Sequence, residues 1–281
     1  MPTAHSSALS KLPALTFAFW VMKIAATTLG ETAGDLFSMT MGIGYLWSTV
    51  ILMSGFVAVL IGQLAARRYI PFLYWAVILA TSTAGTTMSD FMNRTAAHGD
   101  GPGLGIGYAA GSATLLSLLV GILIAWRLVE KSLSVSDVRS RRAEVFYWSA
   151  ILVSNTLGTS LGDYLADDSG LGFAGGALLI GAVIALIVGV YLLARRMKVA
   201  SAGLNVALFW AAFVLTRPFG ATMGDVLTKT PEKGGLGFGT IGSSIVLAVV
   251  LIAVILYTMR RTPSTPVIAP RQVAHTAASK P

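Results

Sequence analysis

Residues 28–35 read TLGETAGD, and this mixture of small, hydroxyl and acidic residues sets the interpretation of the whole chain. The last six of these residues recur three more times as the pattern G-x-[TS]-x-[GS]-D, ending at Asp90, Asp163 and Asp225. A tryptophan that follows another aromatic residue precedes each of the four aspartates by 15 residues. Agreement at so many positions predicts four tandem structural repeats.

The composition places these repeats in a membrane. Of the 281 residues 55% are hydrophobic and only 11% are charged, and the mean hydropathy is +0.75. That is too apolar for a soluble globular protein of this length. Segments without a charged residue are long enough to cross the hydrocarbon core at 45–66, 108–126, 173–194 and 238–259. The absence of cysteine excludes disulfides, thiolate metal sites and cysteine nucleophiles.

Each repeat is predicted to contain two helices. The first runs from the aromatic–tryptophan pair to the aspartate, and the second begins at a glycine-rich segment and ends in arginine. The predicted fold is an all-α membrane protein with eight transmembrane helices, built from four parallel-oriented two-helix repeats related by an axis along the membrane normal. The predicted repeats are 13–68, 69–131, 142–200 and 201–261, and the Pro-, Thr- and Ser-rich residues 262–281 are predicted to form a disordered tail.

The distribution of positive charge predicts the orientation. Fifteen Lys and Arg residues lie at the termini and in the loops that enter each repeat, whereas the loops within the repeats carry Arg94, Lys229 and Lys233. The positive-inside rule then places both termini in the cytoplasm and the aspartates near the outer surface. This distribution explains the net charge of +8 without a nucleic-acid partner. The four tryptophans are expected to anchor the protein at the inner interface of the membrane.

A polar stripe is predicted along each first helix. Positions three, four, seven and eight before an aspartate share its helical face, and lipid does not accept polar groups there, so the stripes should face one another or a water-filled cavity. We expect Asn155 and the hydroxyls three residues before each aspartate to support this surface. Those hydroxyls belong to Thr32, Thr87, Ser160 and Thr222. The glycines form small-xxx-small pairs that predict close helix packing, and the hydroxyls could equally bond backbone carbonyls.

The acids are the main candidates for chemistry. A carboxylate at the end of a membrane helix needs a capped helix start, a basic residue, a cation or a proton as its partner, unless it simply lies in the headgroup region. The candidate cation- or proton-binding residues are Glu31, Asp35, Asp90, Asp163 and Asp225. Glu31 and Asp35, one turn apart, are the tentative metal ligands, and Lys23 and Arg217 are the possible counter-ions. The fourth repeat has Arg217 and Ala221 where the first has Thr27 and Glu31, so an acidic repeat is predicted to oppose a basic one.

Such a site would offer only oxygen ligands, because His5, His98 and His275 lie outside the helices. Oxygen ligands favour H⁺, Na⁺, Mg²⁺, Ca²⁺ or Mn²⁺. No phosphate-binding loop, zinc-protease motif or Ser/His/Asp set occurs in the spans, so neither an enzyme nor a resident cofactor is expected. The expected partners are the lipid bilayer and a small ion.

The four copies of [FY]-W followed by G-x-[TS]-x-[GS]-D resemble a bacterial family of polytopic membrane proteins with four tandem two-helix, tryptophan-containing repeats of unknown function. The resemblance covers residues 13–261 and implies this architecture in a bacterial inner membrane. Glu31 to Asp35 is also similar to the E-x-G-D-[KR]-[TS] motif of Ca²⁺/Mn²⁺–proton exchangers, although one more residue separates Glu31 from Gly34 and no base follows Asp35.

Three functions are consistent with the sequence. The leading hypothesis is a secondary transporter that moves a small hard cation against protons through an acid- and hydroxyl-lined cavity between the first helices of the repeats. The second is a non-transporting membrane scaffold or sensor, in which the motifs only pack helices. The third is a transporter of a small anion or solute that uses the intramembrane bases Arg217 and Lys23.

Overall fold

The computed structural model describes residues 12–95 and 102–261, apart from the side chain of Lys233, and this part of the chain is all-helical with no strand. It contains eight long helices, which confirms the predicted two helices per repeat. The predicted tail at 262–281 lies outside the described residues. The helices are α1 (Phe17–Asp35), α2 (Tyr45–Ala65), α3 (Pro71–Asn93), α4 (Tyr108–Glu130), α5 (Arg141–Asp163), α6 (Gly172–Arg196), α7 (Ala202–Thr228) and α8 (Gly239–Arg261).

The starts of the odd-numbered helices follow from local sequence. The hydroxyls of Thr16, Ser140 and Ser201 accept hydrogen bonds from backbone N–H groups three residues later, at α1, α5 and α7. Such caps satisfy donors that the first turn of a helix leaves free. Helix α3 instead begins with Pro71, which has no N–H to satisfy.

The four odd-numbered helices form a closed ring. Helix α1 packs against α3, α3 against α5, α5 against α7, and α7 returns to α1. Each even-numbered helix packs mainly on the odd-numbered helix of the following repeat: α2 on α3, α4 on α5, α6 on α7, and α8 on α1. A repeat is therefore not a compact unit by itself, because its second helix covers its neighbour.

Small residues set the register of the ring. The glycine five residues before each aspartate faces the residue eight before the aspartate on the next helix, and a Cβ atom on that glycine would crowd or overlap the neighbour. Because the same offset recurs at every interface, the four inner helices run parallel with their aspartates at one level. The facing pairs are Gly30 and Ser82, Gly85 and Asn155, Gly158 and Arg217, and Gly220 and Thr27.

A belt of aromatic rings closes the end of the ring opposite the aspartates. The aromatic residue before each tryptophan packs against the tryptophan of an adjacent repeat, with ring centroids 5.5–6.4 Å apart. Trp75 and Trp148 are 1% exposed and Trp210 is 6% exposed. The expectation that the tryptophans anchor the interface is therefore wrong for these three, because they fill the space between parallel helices. The belt pairs are Phe19 with Trp75, Tyr74 with Trp148, Tyr147 with Trp210, and Phe209 with Trp20.

Five helices of the described chain are long and apolar enough to cross a membrane: α2, α4, α6, α7 and α8. The remaining helices α1, α3 and α5 have comparable length but carry the polar stripes. Their polarity is tolerated because α8, α2 and α4 lie against them and present apolar side chains outward.

Candidate cation site

An ion pair lies in the middle of the helix ring. Arg217 on α7 donates a hydrogen bond from Nη1 to Glu31 Oε2 on α1, at 2.9 Å, and both side chains are almost completely buried. The two residues come from the fourth and first repeats, at positions eight and four before their aspartates. We call Glu31 and Arg217 the central pair.

Hydroxyls of the other two repeats form hydrogen bonds with both members of the central pair. Arg217 Nη2 donates to Thr86 Oγ1 at 2.5 Å and to Thr159 Oγ1 at 2.7 Å. Those hydroxyls in turn donate to Glu31 Oε2, at 3.1 Å from Thr86 and 3.0 Å from Thr159. Because Thr86 and Thr159 occupy the position of Glu31 in the second and third repeats, all four repeats contribute to one buried network. Its hydrogen bonds offset part of the cost of burying two charges.

The four aspartates form a second layer one helical turn away, which we call the aspartate layer. Asp35, Asp90, Asp163 and Asp225 are at most 3% exposed although they end their helices or lie near the ends. They are joined in two pairs, each by one base. Lys229 Nζ lies 2.8 Å from Asp35 and 3.1 Å from Asp225, and Arg94 lies 2.9 Å from Asp90 and 3.5 Å from Asp163.

The two bridging bases are held by equivalent loops. The backbone N–H of Gly105 donates to the carbonyl of Arg94, and that of Gly237 donates to the carbonyl of Lys229. Burial alone would lower the pKa of Lys229, but the carboxylates of Asp225 and Asp35 outweigh it and hold that pKa well above its ordinary value. Burial would likewise lower the pKa of Arg94, but the carboxylates of Asp90 and Asp163 outweigh it and raise that pKa above its ordinary value.

Three carboxylates converge closely enough to hold a metal ion. One oxygen from each of Glu31, Asp163 and Asp225 lies within 4.8 Å of the other two, and all three side chains are buried. In the aspartate layer, Asp90 Oδ2 is buried without a hydrogen-bond partner among the described residues. An oxygen-only donor set of this kind suits a hard cation such as Mn²⁺, Ca²⁺ or Mg²⁺.

The remaining predicted site residues do not all lie beside the three converging carboxylates. Asp35 lies in the aspartate layer but outside the group of Glu31, Asp163 and Asp225. Among the supporting residues, Thr32 accepts from Ser244 of α8, Ser160 bonds Ser112 of α4, and Thr222 faces Gly176 of α6.

Two further supporting residues make contacts away from the acids. Thr87 bonds carbonyls of its own helix, and Asn155 donates to Thr81. The residues four before the aspartates face the ring centre, whereas the hydroxyls three before them mostly contact the outer helices or their own backbone. A single residue step of about 100° along a helix is enough for this change of direction.

The two possible counter-ions are also separated. Arg217 contacts Glu31, but Lys23 lies farther along α1, with Nζ 4.2 Å from the centroid of the Phe213 ring. A surface groove of about 430 Å³, lined by Val129, Arg141, Arg142, Val145 and Phe146, lies at the aromatic end of the helices. These lining residues include none of the acids.

Arg94 and Lys229 belong to the site, although the sequence pattern alone predicts only that they lie in loops. A signal was present, because each base follows an aspartate of its own repeat by four residues and such pairs are neighbours on a helix. The first and third repeats have Met39 and Asp167 at that position and a π-helical turn instead, at Leu36–Thr40 and Tyr164–Asp168. Only the structure shows that each base also reaches the aspartate of the next repeat.

A family model described as Repeat of Unknown Function (DUF347) matches the chain four times, at residues 18–69, 73–132, 146–197 and 208–263. Each match contains most of one odd-numbered helix and the whole of the even-numbered helix that follows. No curated protein and no solved structure matches the chain. Since the four matches cover most of its length, the chain belongs to the DUF347 family of proteins with repeats of unknown function.

Proposed function

We propose that this membrane protein is a secondary transporter that exchanges a small hard cation, such as Mn²⁺, Ca²⁺, Mg²⁺ or Na⁺, for protons. The observation that carries the proposal is the convergence of Glu31, Asp163 and Asp225 within the helix ring. Buried carboxylates inside a membrane bundle are costly unless a cation, a proton or a base accompanies them. Three repeats contribute these ligands, so a change in helix packing would change the site.

The charge balance supports an exchange of cations for protons. Five buried carboxylates, Glu31 and the aspartate layer, face three bases, namely Arg217, Arg94 and Lys229. Two negative charges are therefore in excess when every acid is ionised. One divalent cation or two protons would balance them, and alternation between these two states is the basis of an antiport cycle.

The bridging bases provide a means of controlling access. Arg94 and Lys229 bind Asp163 and Asp225, which are two of the three proposed cation ligands. A cation entering from that end competes with both bases, and their release would open the aspartate layer. The aromatic belt closes the other end, so this packing corresponds to a closed state of an alternating-access transporter.

The same proposal places the protein in a bacterial inner membrane with both termini in the cytoplasm. Single cysteines introduced at Ser132 and Thr230 test the orientation, because the natural chain has no cysteine that would react. We expect a membrane-impermeant maleimide to label Thr230→Cys in intact cells and Ser132→Cys only after permeabilisation. The reverse pattern would place the aspartates on the cytoplasmic side.

Flux in proteoliposomes tests the transport itself. We expect a pH gradient to drive Mn²⁺ uptake by the wild-type protein, Asp163→Asn to abolish it, and Asp35→Asn to reduce it less, since Asp35 is not among the three converging ligands. Asp168→Asn is the matched control, because Asp168 is exposed in the turn after α5. Coupled flux at the wild-type level in Asp163→Asn would exclude this site.

A membrane scaffold or sensor is the second candidate, and the closely packed central network favours it. In that case Asp163→Asn changes thermal stability alone, and Mn²⁺ does not shift the midpoint temperature of unfolding of the wild-type protein. The anion-transport hypothesis receives less support, because Arg217 is already paired with Glu31.

A further inference from the structure

Lys23 is a buried base with no assigned role in the proposed cation site. It lies on α1, twelve residues before Asp35, and its side chain is completely buried. Its Nζ has no hydrogen-bond partner among the described residues and lies over the ring of Phe213 on α7. A buried ammonium without a carboxylate or carbonyl partner is costly, so the environment of Lys23 opposes permanent protonation.

The surroundings of Lys23 are apolar at its own level. The equivalent positions in the other repeats are Ile78, Ile151 and Phe213, and each is fully buried. The charged group that faces it from the next level of α7 is Arg217, which carries the same sign. Tyr74 of α3 and Tyr147 of α5 lie on the other side, in the aromatic belt, and α8 carries no charged residue before Arg260.

Between Lys23 and Glu31 lies a level rich in unpartnered polar atoms. Ser82 Oγ, Asn155 Oδ1 and Arg217 Nε are buried, and none has a hydrogen-bond partner among the described residues. All three belong to residues eight before an aspartate, one helical turn from the level of Lys23. Buried polar atoms are seldom left without partners, and a site with several of them can hold water. This level therefore offers a route for a proton between Lys23 and Glu31.

We infer that Lys23 is a proton-exchanging group of the transport cycle, a role that rests on the proposed cation–proton exchange. Its ammonium gives one proton to water when the cation binds, and the free amine takes one proton back when the cation leaves. Lysine suits this role because its amine can lose the proton inside a protein, whereas a guanidinium stays charged.

The charges along the ring explain the coupling. Lys23, Glu31 and Asp35 follow one another on α1, and eight residues of helix place Lys23 about 12 Å from Glu31. The negative charge of Glu31 offsets the repulsion between Arg217 and Lys23. A cation bound by Glu31, Asp163 and Asp225 removes that offset, which favours loss of the proton from Lys23.

Proton release on cation binding tests the inference without any flux measurement. Purified protein in weakly buffered detergent is titrated with Mn²⁺, and a pH indicator measures the protons released. We expect fewer protons per bound Mn²⁺ from Lys23→Met and from Lys23→Arg than from the wild-type protein. Ile78→Met, which puts the same methionine at the equivalent level of α3, should release as many as the wild type.

The coupling gives a second readout in proteoliposomes. Lys23→Met should lose Mn²⁺ accumulation driven by a pH gradient while it keeps exchange of labelled for unlabelled Mn²⁺. Equal proton release by Lys23→Met and wild type would overturn the role of Lys23 and leave the cation site standing. If the wild-type protein binds no Mn²⁺, the proposed function falls and this inference falls with it. Lys23→Arg keeps a long basic side chain, so it separates loss of the titration from loss of the fold.

Discussion

Arg217 Nη1 lies 2.9 Å from Glu31 Oε2, and this contact joins the last repeat of the chain to the first. At the other three interfaces of the ring, the equivalent residues are hydroxyls, an amide and an alanine. The charged pair therefore marks one interface of an otherwise fourfold arrangement. Glu31 and Arg217 are both buried, so the contribution of the pair to the free energy of unfolding depends on both charges being present.

Removal of one charge of the central pair should destabilise the protein strongly. Glu31→Gln leaves the Arg217 guanidinium buried without a counter-charge, and we expect a loss of about 3–5 kcal/mol in the free energy of unfolding. Arg217→Met should cost a similar amount. The double variant should lose much less free energy of unfolding than the two single variants lose together. A double-mutant cycle on the midpoint temperatures of unfolding in detergent measures this difference. Additive losses would contradict a direct interaction.

Substitution of a ring glycine should loosen the inner helices. A Cβ atom at position 85 would lie 3.0 Å from the backbone nitrogen of Thr156, and a backbone cannot move as a flexible side chain does. We expect Gly85→Ala to cost roughly 1–3 kcal/mol in the free energy of unfolding. Gly121→Ala on α4 is the control, because no atom lies within 4 Å of a Cβ there. Equal midpoint temperatures for the two variants would argue against the packing of α3 on α5.

The bridging bases should compete with a bound cation. Lys229→Met frees Asp35 and Asp225 from their ammonium, and we expect Mn²⁺ to bind about tenfold or more tightly as a result. Isothermal titration calorimetry of the purified protein measures the change. Lys198→Met, which removes the same charge after the far end of α6, should leave the affinity unaltered. Weaker Mn²⁺ binding in Lys229→Met would mean that Lys229 supports the cation site instead.

The contribution of Lys229 to stability should be insensitive to moderate alkali. Its pKa is raised above the ordinary value of 10.5, so the bridge is fully present below that value and is lost only as the pH rises through the higher folded value. The difference in unfolding midpoint between the wild type and Lys229→Met should therefore not shrink from about pH 7 to about pH 9. A difference that shrinks over this range would contradict the ion pair.

The closure of the ring can be tested by cross-linking. Thr40, in the turn after α1, has its hydroxyl 2.7 Å from that of Thr240 on α8. We expect Thr40→Cys and Thr240→Cys to form a disulfide on oxidation, since the contact between the two hydroxyls brings the side chains together. With a protease site inserted in residues 131–140, the two halves should then stay together on a gel until reduced. The pair Thr40→Cys and Leu186→Cys, which places the second cysteine on α6 in the same half of the chain as Thr240, should not link.

The candidate site was partly predictable from the sequence. The repeated aspartates and the extra acid at Glu31 mark both levels of the site, the aspartate layer and the central pair, because acids are rare in apolar segments. Which acids converge was not predictable. Glu31 and Asp35 are adjacent on one helix, yet Glu31 converges with Asp163 and Asp225 from two other repeats, since the ring brings distant segments together. The bridging role of Arg94 and Lys229 depends on the same closure.

By itself the sequence determined the class of this protein, its four repeats and the two helices of each. Those features depend on local properties, namely hydrophobic length, glycine spacing and helix caps, which act within one or two helices. Only the tertiary structure decided that Arg217 neutralises Glu31, that Lys23 has no hydrogen-bond partner among the described residues and that each second helix covers the next repeat. The physical reason is that parallel helices in a closed ring meet through residues far apart in the chain, and a repeat pattern contains no information about which copy stands beside which.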